Sequence, residues 1–253
     1  MSQLLNDFAT YIRANAVVGR ESFRIGAFTL AFHRDDDSPY LNYAVPDEDA
    51  EPRADDIAII IKAFRARRRT PRMEYFPELS EHVEPALTAA GFVVDDILPV
   101  MTCTAQTLAA KPKPVGVRVR TPRTKADFLA VASVQHDAFG DPDPPGDEEV
   151  ARLRDLVTVD GIVALGLLDD EPAGGGMCDT IHHGYGELAG VGVRRGKRGH
   201  GVGRALTHYL TARALEAGAE TVFLTAATEP EQRLAAGVGY TPFATHVHVS
   251  LPS

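Results

Sequence analysis

A chain of 253 residues and 27.3 kDa is long enough for one or two domains and for at least one full hydrophobic core. With 44% hydrophobic and 24% charged residues the composition is globular, which excludes disorder over most of the length. A formal charge of −9 excludes a general nucleic-acid binder, which presents a basic face.

The first residues carry Leu4, Leu5, Phe8, Tyr11 and Ile12 at helical spacing, with Asp7 among them. They predict a folded helix and not a signal peptide. The apolar runs, such as 57–61 and 161–168, fall far short of the roughly 20 residues that a membrane-spanning helix needs. Only Cys103 and Cys178 are present, so there is neither a disulfide framework nor a thiolate zinc site, and the cytoplasm is the expected location. Next come a strand at 40–45, a helix at 54–68, a strand at 72–76, a helix at 80–90 and, after Gly91-Phe92, an alternating strand to Thr104.

Residues 109–114, Ala-Ala-Lys-Pro-Lys-Pro, lack apolar periodicity and read as an extended linker. That divides the chain into a domain over 1–108, the linker, and a domain over 115–253. The acidic excess lies mainly before residue 111.

Beyond the linker the spacing predicts a strand at 115–120 and a helix from the Thr124 cap to Phe139. A turn-rich acidic segment with Asp141, Asp143, Asp147, Glu148 and Glu149 leads into a helix to Val157. Strands follow at 162–168, 173–179 and 185–193. A glycine-rich loop then opens a helix at 201–217, stopped by Gly218. A strand at 221–226, a helix at 229–236 and a strand at 245–251 end the chain. Setting Gly91-Phe92 on Gly239-Tyr240 aligns the end of the first half with the end of the second, which suggests two copies of one fold.

The loop reads Val191-Gly-Val-Arg-Arg-Gly-Lys-Arg-Gly-His-Gly-Val-Gly203. A strand that ends in a glycine turn and enters a helix aims backbone N–H groups and the positive end of the helix dipole at one spot, which suits a phosphate. Arg194, Arg195, Lys197 and Arg198 add positive charge beside it. A P-loop is excluded, because Val191 stands where its first glycine should be and Arg198 where its hydroxyl should be. A dinucleotide fingerprint is excluded by Arg204 in place of its third glycine.

The segment Arg198-Gly-His-Gly-Val-Gly203 resembles the Arg/Gln-x-x-Gly-x-Gly/Ala signature of the GCN5-related N-acetyltransferases (GNAT), and the element order across 115–253 matches that family as well. The resemblance implies an acyl-CoA N-acyltransferase fold: α/β, with a mixed, mostly antiparallel central sheet flanked by helices, here as two tandem GNAT-like units. It further implies an acetyl-CoA-dependent N-acetyltransferase in which a primary amine of a small molecule or peptide attacks the thioester directly. Backbone groups of Arg198, Gly199, His200, Gly201, Val202, Gly203 and Arg204 would hold the diphosphate of coenzyme A. Val191, Gly192 and Val193 would hold its pantetheine.

The position of Glu187 matches that of a glutamate that serves as base in histone-type members. Strand alternation puts Glu187, Ala189, Val191 and Val193 on one face. The family's leaving-group tyrosine falls on Ala235 and its asparagine near Thr228, departures that leave open a non-catalytic acyl-CoA-binding or scaffold protein. Tyr185 and Tyr240 are the aromatic hydroxyls that could stand in.

His182-His183 fall in a turn near the acceptor side. His246-x-His248 share a strand face without a third ligand, so no metal is expected. The first half has the acidic run 46–56 where the phosphate loop would be, so it is expected to be a degenerate copy without a coenzyme A site, covering the sheet edge of the second half, walling the acceptor cleft or forming a homodimer. The run Arg65-x-Arg67-Arg68-Arg69 reads as a solvated helix end.

Overall fold

The computed structural model describes residues 2–252, with side chains from residue 5 onward; the expectation for Leu4's side chain lies outside them. The chain forms two compact units, Met1–Val100 with Phe243–Ser253, and Met101–Pro242.

The first unit contains α1 (Ser2–Ala16), β1 (Glu21–Ile25), β2 (Phe28–Phe32), β3 (Asn42–Pro46), α2 (Ala54–Ala66), β4 (Arg72–Tyr75), α3 (Val83–Ala89) and most of β5 (Val93–Cys103) and β11 (Thr241–Ser250). Its strands lie in the order β1-β2-β3-β4-β11-β5. The β1–β2 hairpin, in register from Glu21↔Phe32 to Ile25↔Phe28, has no counterpart in the sequence reading. β1 does alternate, with Phe23 and Ile25 turned to the core, but it is only five residues long and presents two apolar side chains, a short signal that the sequence reading passed over. Phe28, Leu30 and Phe32 of β2 pack with Ile57, Ile60 and Phe64 of α2 and with Met73 and Tyr75 of β4.

The second unit contains β6 (Val117–Arg120), α4 (Lys125–Phe139), α5 (Asp147–Thr158), β7 (Ile162–Leu168), β8 (Glu171–Cys178), β9 (Tyr185–Val193), α6 (Val202–Glu216), β10 (Thr221–Thr225) and α7 (Glu229–Val238). β6 through β9 pair antiparallel, and β10 lies parallel to β9. The result is a mixed, mostly antiparallel sheet flanked by helices.

Local sequence explains the helix starts. The Thr124 hydroxyl accepts from Asp127 N–H at 3.2 Å while the Asp127 carboxylate accepts from Thr124 N–H at 3.1 Å, a reciprocal cap. Thr228 and Glu231 repeat this at α7. Each face of the sheet carries its own core. Leu206, Leu210 and Ala214 of α6 pack with Ala164, Ala173 and Leu188, whereas Phe128 and Val131 of α4 pack with Val163 and Leu165. Between them runs Gly174-Gly175-Gly176. A Cβ at Gly174 would strike Leu206 and Val202, and one at Gly175 would press on Val131, so both helices touch the strand backbone.

Two boundaries differ from the sequence reading, which placed the domains at 1–108 and 115–253. The first unit ends at Val100, because residues after it already pack in the second core: Met101 and Cys103 are members of it. The Ala109 N–H donates to the Val238 carbonyl at 2.9 Å, and His208 Nε2 donates to the Ala109 carbonyl at 3.0 Å, so the expected linker begins pinned to the second unit. The last strand belongs to the first unit, where Val247↔Tyr75 to Ser250↔Arg72 pair antiparallel. Composition marks where a chain is polar, not which sheet a strand joins.

Leu206 is fully buried against the glycine run. Leu206→Ala is expected to cost about 3 kcal/mol of unfolding free energy, since the backbone around it has little room to close the cavity. Chemical denaturation of the two proteins measures the difference.

Candidate active site

β9 and β10 pair at Thr221↔Tyr185, Val222↔Gly186 and Phe223↔Glu187, and there the pairing stops. β9 runs on for six residues, Leu188 to Val193, without a partner on that edge among the described strand pairs. Buried backbone donors and acceptors need partners, so this edge is open to an extended ligand. Glu187 stands at the fork, as the last β9 residue paired with β10.

β9 does not alternate evenly beyond this point. Against β8 the register runs Met177↔Ala189 and then Gly175↔Gly192, so β9 carries one extra residue, a β-bulge at Gly190-Val191. Gly190 has φ +60°, which a side chain would strain. The bulge corrects the single face expected for Glu187, Ala189, Val191 and Val193. Val191 and Val193 pack in the core beneath α6. Met177, the pairing partner of Ala189, packs in the core beneath α4, and Glu187 lies two residues from Ala189 on that same side.

Past Val193 the chain makes a short 3-10 turn at Arg195–Lys197 and reaches Gly201, the N-cap of α6, with φ +81°. The Ala205 N–H makes the first helical bond, to the Gly201 carbonyl at 3.0 Å. The N–H groups of Val202, Gly203 and Arg204 therefore precede any intrahelical acceptor and point out of the helix end. With Gly199 also at φ +82°, the backbone forms a cradle suited to an anion.

The cations of the loop have other work. Lys197 pairs with Glu171 at 2.7 Å and Arg194 with Asp137 at 3.7 Å. Arg198 donates to the carbonyls of Val193 at 3.1 Å and Ala138 at 3.2 Å, tying the loop to β9 and α4. Arg204 donates to the Gly237 carbonyl at 2.6 Å. Of the four expected beside the phosphate, Arg195 has no partner among the described residues. His200 Nδ1 donates to the Arg198 carbonyl at 2.9 Å and shapes the turn.

At the family's tyrosine position Ala235 is buried, and Thr228 caps α7. The Tyr240 hydroxyl is bonded to Thr211 at 2.7 Å deep in the core, and burial raises its pKa well above the ordinary value; Tyr185 is buried as well. His183 has φ +51° in the turn where His182 bridges Tyr185. The acidic segment is held by His136, whose Nδ1 meets the Asp143 carbonyl and whose Nε2 meets Glu149, both at 2.7 Å. Both partners are acceptors, so the ring carries two protons. Burial opposes this, but the bonds to Asp143 and Glu149 outweigh it and the pKa of His136 rises. The sequence reading missed Gln135, whose Nε2 donates to the Gly190 carbonyl at 2.9 Å. Its one signal was a polar residue four and three positions after the buried Val131 and Ala132 of α4.

Residues 128–240 match the model of the acetyltransferase (GNAT) family. That match lies within the second unit. Solved structures share the fold of the chain more broadly. A GCN5-related N-acetyltransferase from Kribbella flavida is 24% identical with a TM-score of 0.82, over 98% of this chain and 95% of that one. One from Sphaerobacter thermophilus is 18% identical with a TM-score of 0.66, over 90% of this chain and 82% of that one. A tandem GNAT protein from the clavulanic acid biosynthesis pathway is 18% identical with a TM-score of 0.62, over 90% and 80%. No curated protein matches. Among the described residues no helix is long and apolar enough to cross a membrane.

Outside the matched segment, Glu74 joins His246 and His248 in a buried cluster of the first unit, the third group that the sequence did not reveal. Arg72 decides its chemistry. A guanidinium only donates, and Arg72 meets His248 Nδ1 at 2.8 Å and Glu74 Oε1 at 3.2 Å. His248 therefore carries its proton on Nε2, which faces His246 Nδ1 at 3.3 Å. His246 Nε2 lies 3.7 Å from Glu74 Oε2, beyond hydrogen-bond reach, and has no hydrogen-bond partner among the described residues. The hydrogen-bond chain therefore stays open at His246 Nε2, and the three side chains bring possible ligand atoms within 4.8 Å of one another.

Burial lowers His246 to about 3 and His248 to about 4, and it raises Glu74 to about 7 against the pull of Arg72. The two depressed histidines contribute stability that is full above about 6.5 and is lost as pH falls toward their folded values; Glu74 contributes the opposite slope, lost as pH rises through about 7. Two protons outweigh one. The thermal midpoint is therefore expected to fall from pH 7 to pH 5, and His246→Gln to flatten that fall, as calorimetry across the range would measure.

Proposed function

We propose that the second unit transfers an acetyl group from acetyl-CoA to a primary amine of a small molecule or peptide by direct attack. The observation that carries this reading is the parting of β9 from β10 after Glu187↔Phe223, beside a helix N-terminus that opens on Gly201. The open edge Val191 to Val193 suits the amide-bearing pantetheine arm, and the backbone from Arg198 to Arg204 suits the diphosphate. Binding rests on backbone donors, since three of the four nearby cations are engaged elsewhere.

In the reaction, the amine nitrogen attacks the thioester carbonyl carbon, a C–N bond forms, and the C–S bond breaks as the tetrahedral intermediate collapses. A backbone N–H of β9, that of Val191, receives the developing oxyanion, a contribution of a few kcal/mol in comparable sites. Glu187 at the fork takes the ammonium proton, through water. The departing thiolate takes a solvent proton, because Ala235 supplies no hydroxyl.

That buried alanine favours one other reading, an acyl-CoA-binding protein without turnover. In either case the first unit binds no coenzyme A: between β3 and α2 it has acidic residues already paired, Asp47 with Arg24 and Glu48 with Arg13. The two buried free thiols suit a reducing compartment such as the cytoplasm.

Acetyl-CoA at a hundred times its Kd is expected to stabilise the protein by about 2.7 kcal/mol in a thermal-shift assay, with ATP and NAD giving nothing. Gly201→Glu should abolish the shift by placing a carboxylate in the cradle; no shift with the unaltered protein overturns the reading. Coenzyme A release with a panel of amines separates turnover from binding. Where turnover is found, Glu187→Gln is expected to lower kcat about a hundredfold at pH 7 and less at high pH, where the amine is already neutral; an unchanged pH–rate profile removes Glu187 from the mechanism.

A further inference from the structure

We propose that Gln135 is a positioning residue of the acyl-transfer site, its side-chain amide holding the Gly190 carbonyl so that the Val191 N–H keeps a fixed direction. This rests on the reading that Val191 N–H meets the thioester oxygen. The bulge creates the need. Gly190 and Val191 have no register partners in β8, so the ladder that orients every neighbouring peptide is interrupted where an aligned donor matters most. An unpartnered peptide would rotate freely or turn to water.

Two contacts replace the ladder. On the α4 side, Gln135 Nε2 donates to the Gly190 carbonyl at 2.9 Å. On the α6 side, the Val191 side chain packs in the core with Leu210, close enough that a Cβ at Gly176 would meet both. The peptide between Gly190 and Val191 is thereby held at both ends. Because it is trans, its N–H points opposite to its carbonyl, and Gln135, which touches only the carbonyl, sets the donor's aim. Gly190 is needed twice over, for its φ of +60° and because a Cβ there would collide with Gln135 Nε2.

The side chain has no other hydrogen-bond partner among the described residues, and Val131 and Ala132, four and three residues before it on α4, are buried in the apolar core. A residue serving packing alone there would be apolar. A donor of this length reaches the bulge, and a preorganised donor is what a developing oxyanion rewards.

Gln135→Met keeps the length and removes the donor; Gln135→Glu sets a carboxylate against the carbonyl. Each is expected to lower kcat about tenfold, as for one lost hydrogen bond, with KM and Kd for acetyl-CoA changed less than about threefold. In NMR spectra without ligand the Gly190 and Val191 amide resonances should move in both variants, and in the Met variant the Val191 shift on adding acetyl-CoA should shrink. Retained kcat with unmoved amides overturns the proposal. So does a joint loss of Kd, kcat and thermal midpoint, which would mark a packing role. If the unaltered protein binds no acetyl-CoA, the acyltransfer reading fails by itself, and the ligand-free amide resonances still decide whether Gln135 sets this peptide.

Discussion

The second unit is organised around one unmade interaction, the ladder that β9 and β10 begin and abandon after three pairs. A parallel pair normally continues while both strands last. Here β9 outlasts the pairing by six residues, and the peptide groups on that edge are left without a strand partner among the described residues. Other features of the unit keep that edge straight while it stands open: β8 on the far side, α4 and α6 on the two faces, and glycines in β8 that let both helices press on the backbone.

The extra residue at Gly190 follows from the same constraint. A strand paired on one edge only can absorb a bulge without breaking a second ladder, and the bulge turns Val191 and Val193 into the α6 core while leaving Glu187 and Ala189 on the α4 side. In the proposed function a single strand would then supply both the binding edge and the base. In the glycine loop charge is handled in a similar way. Lys197, Arg194 and Arg198 hold the loop in shape through Glu171, Asp137 and two carbonyls, and the attraction for an anion is left to fixed backbone dipoles.

The first unit spends its charged residues differently. Arg72 holds a glutamate and a histidine of a buried cluster, and Asp47 and Glu48 of the acidic stretch before α2 pair with Arg24 and Arg13. Nothing in that stretch matches the glycine cradle of the second unit, although the helix–glycine–aromatic–strand ending recurs in both, with Gly91 and Gly239 at positive φ.

Local rules carried much of this in the sequence. Threonine caps with an acidic residue three positions on, glycine stops and apolar periodicity placed the helices and central strands of the second unit within a few residues, and the glycine loop was legible because its chemistry is that of contiguous backbone. The short β1 strand was not read, although Phe23 and Ile25 alternate in it and pack on the first core. What only tertiary structure decided depends on which segments become neighbours: the bulge, which appears only when β9 is counted against β8; the grip of Gln135, 55 residues from its acceptor; the pairing of the final strand with β4; and the union of Glu74 with two histidines more than 170 positions away. Sequence fixes what each segment can do, because those forces act within a few residues. Register and partner choice are settled by burial and by the demand that every buried polar group find a mate, and those demands are met only once the chain has closed on itself.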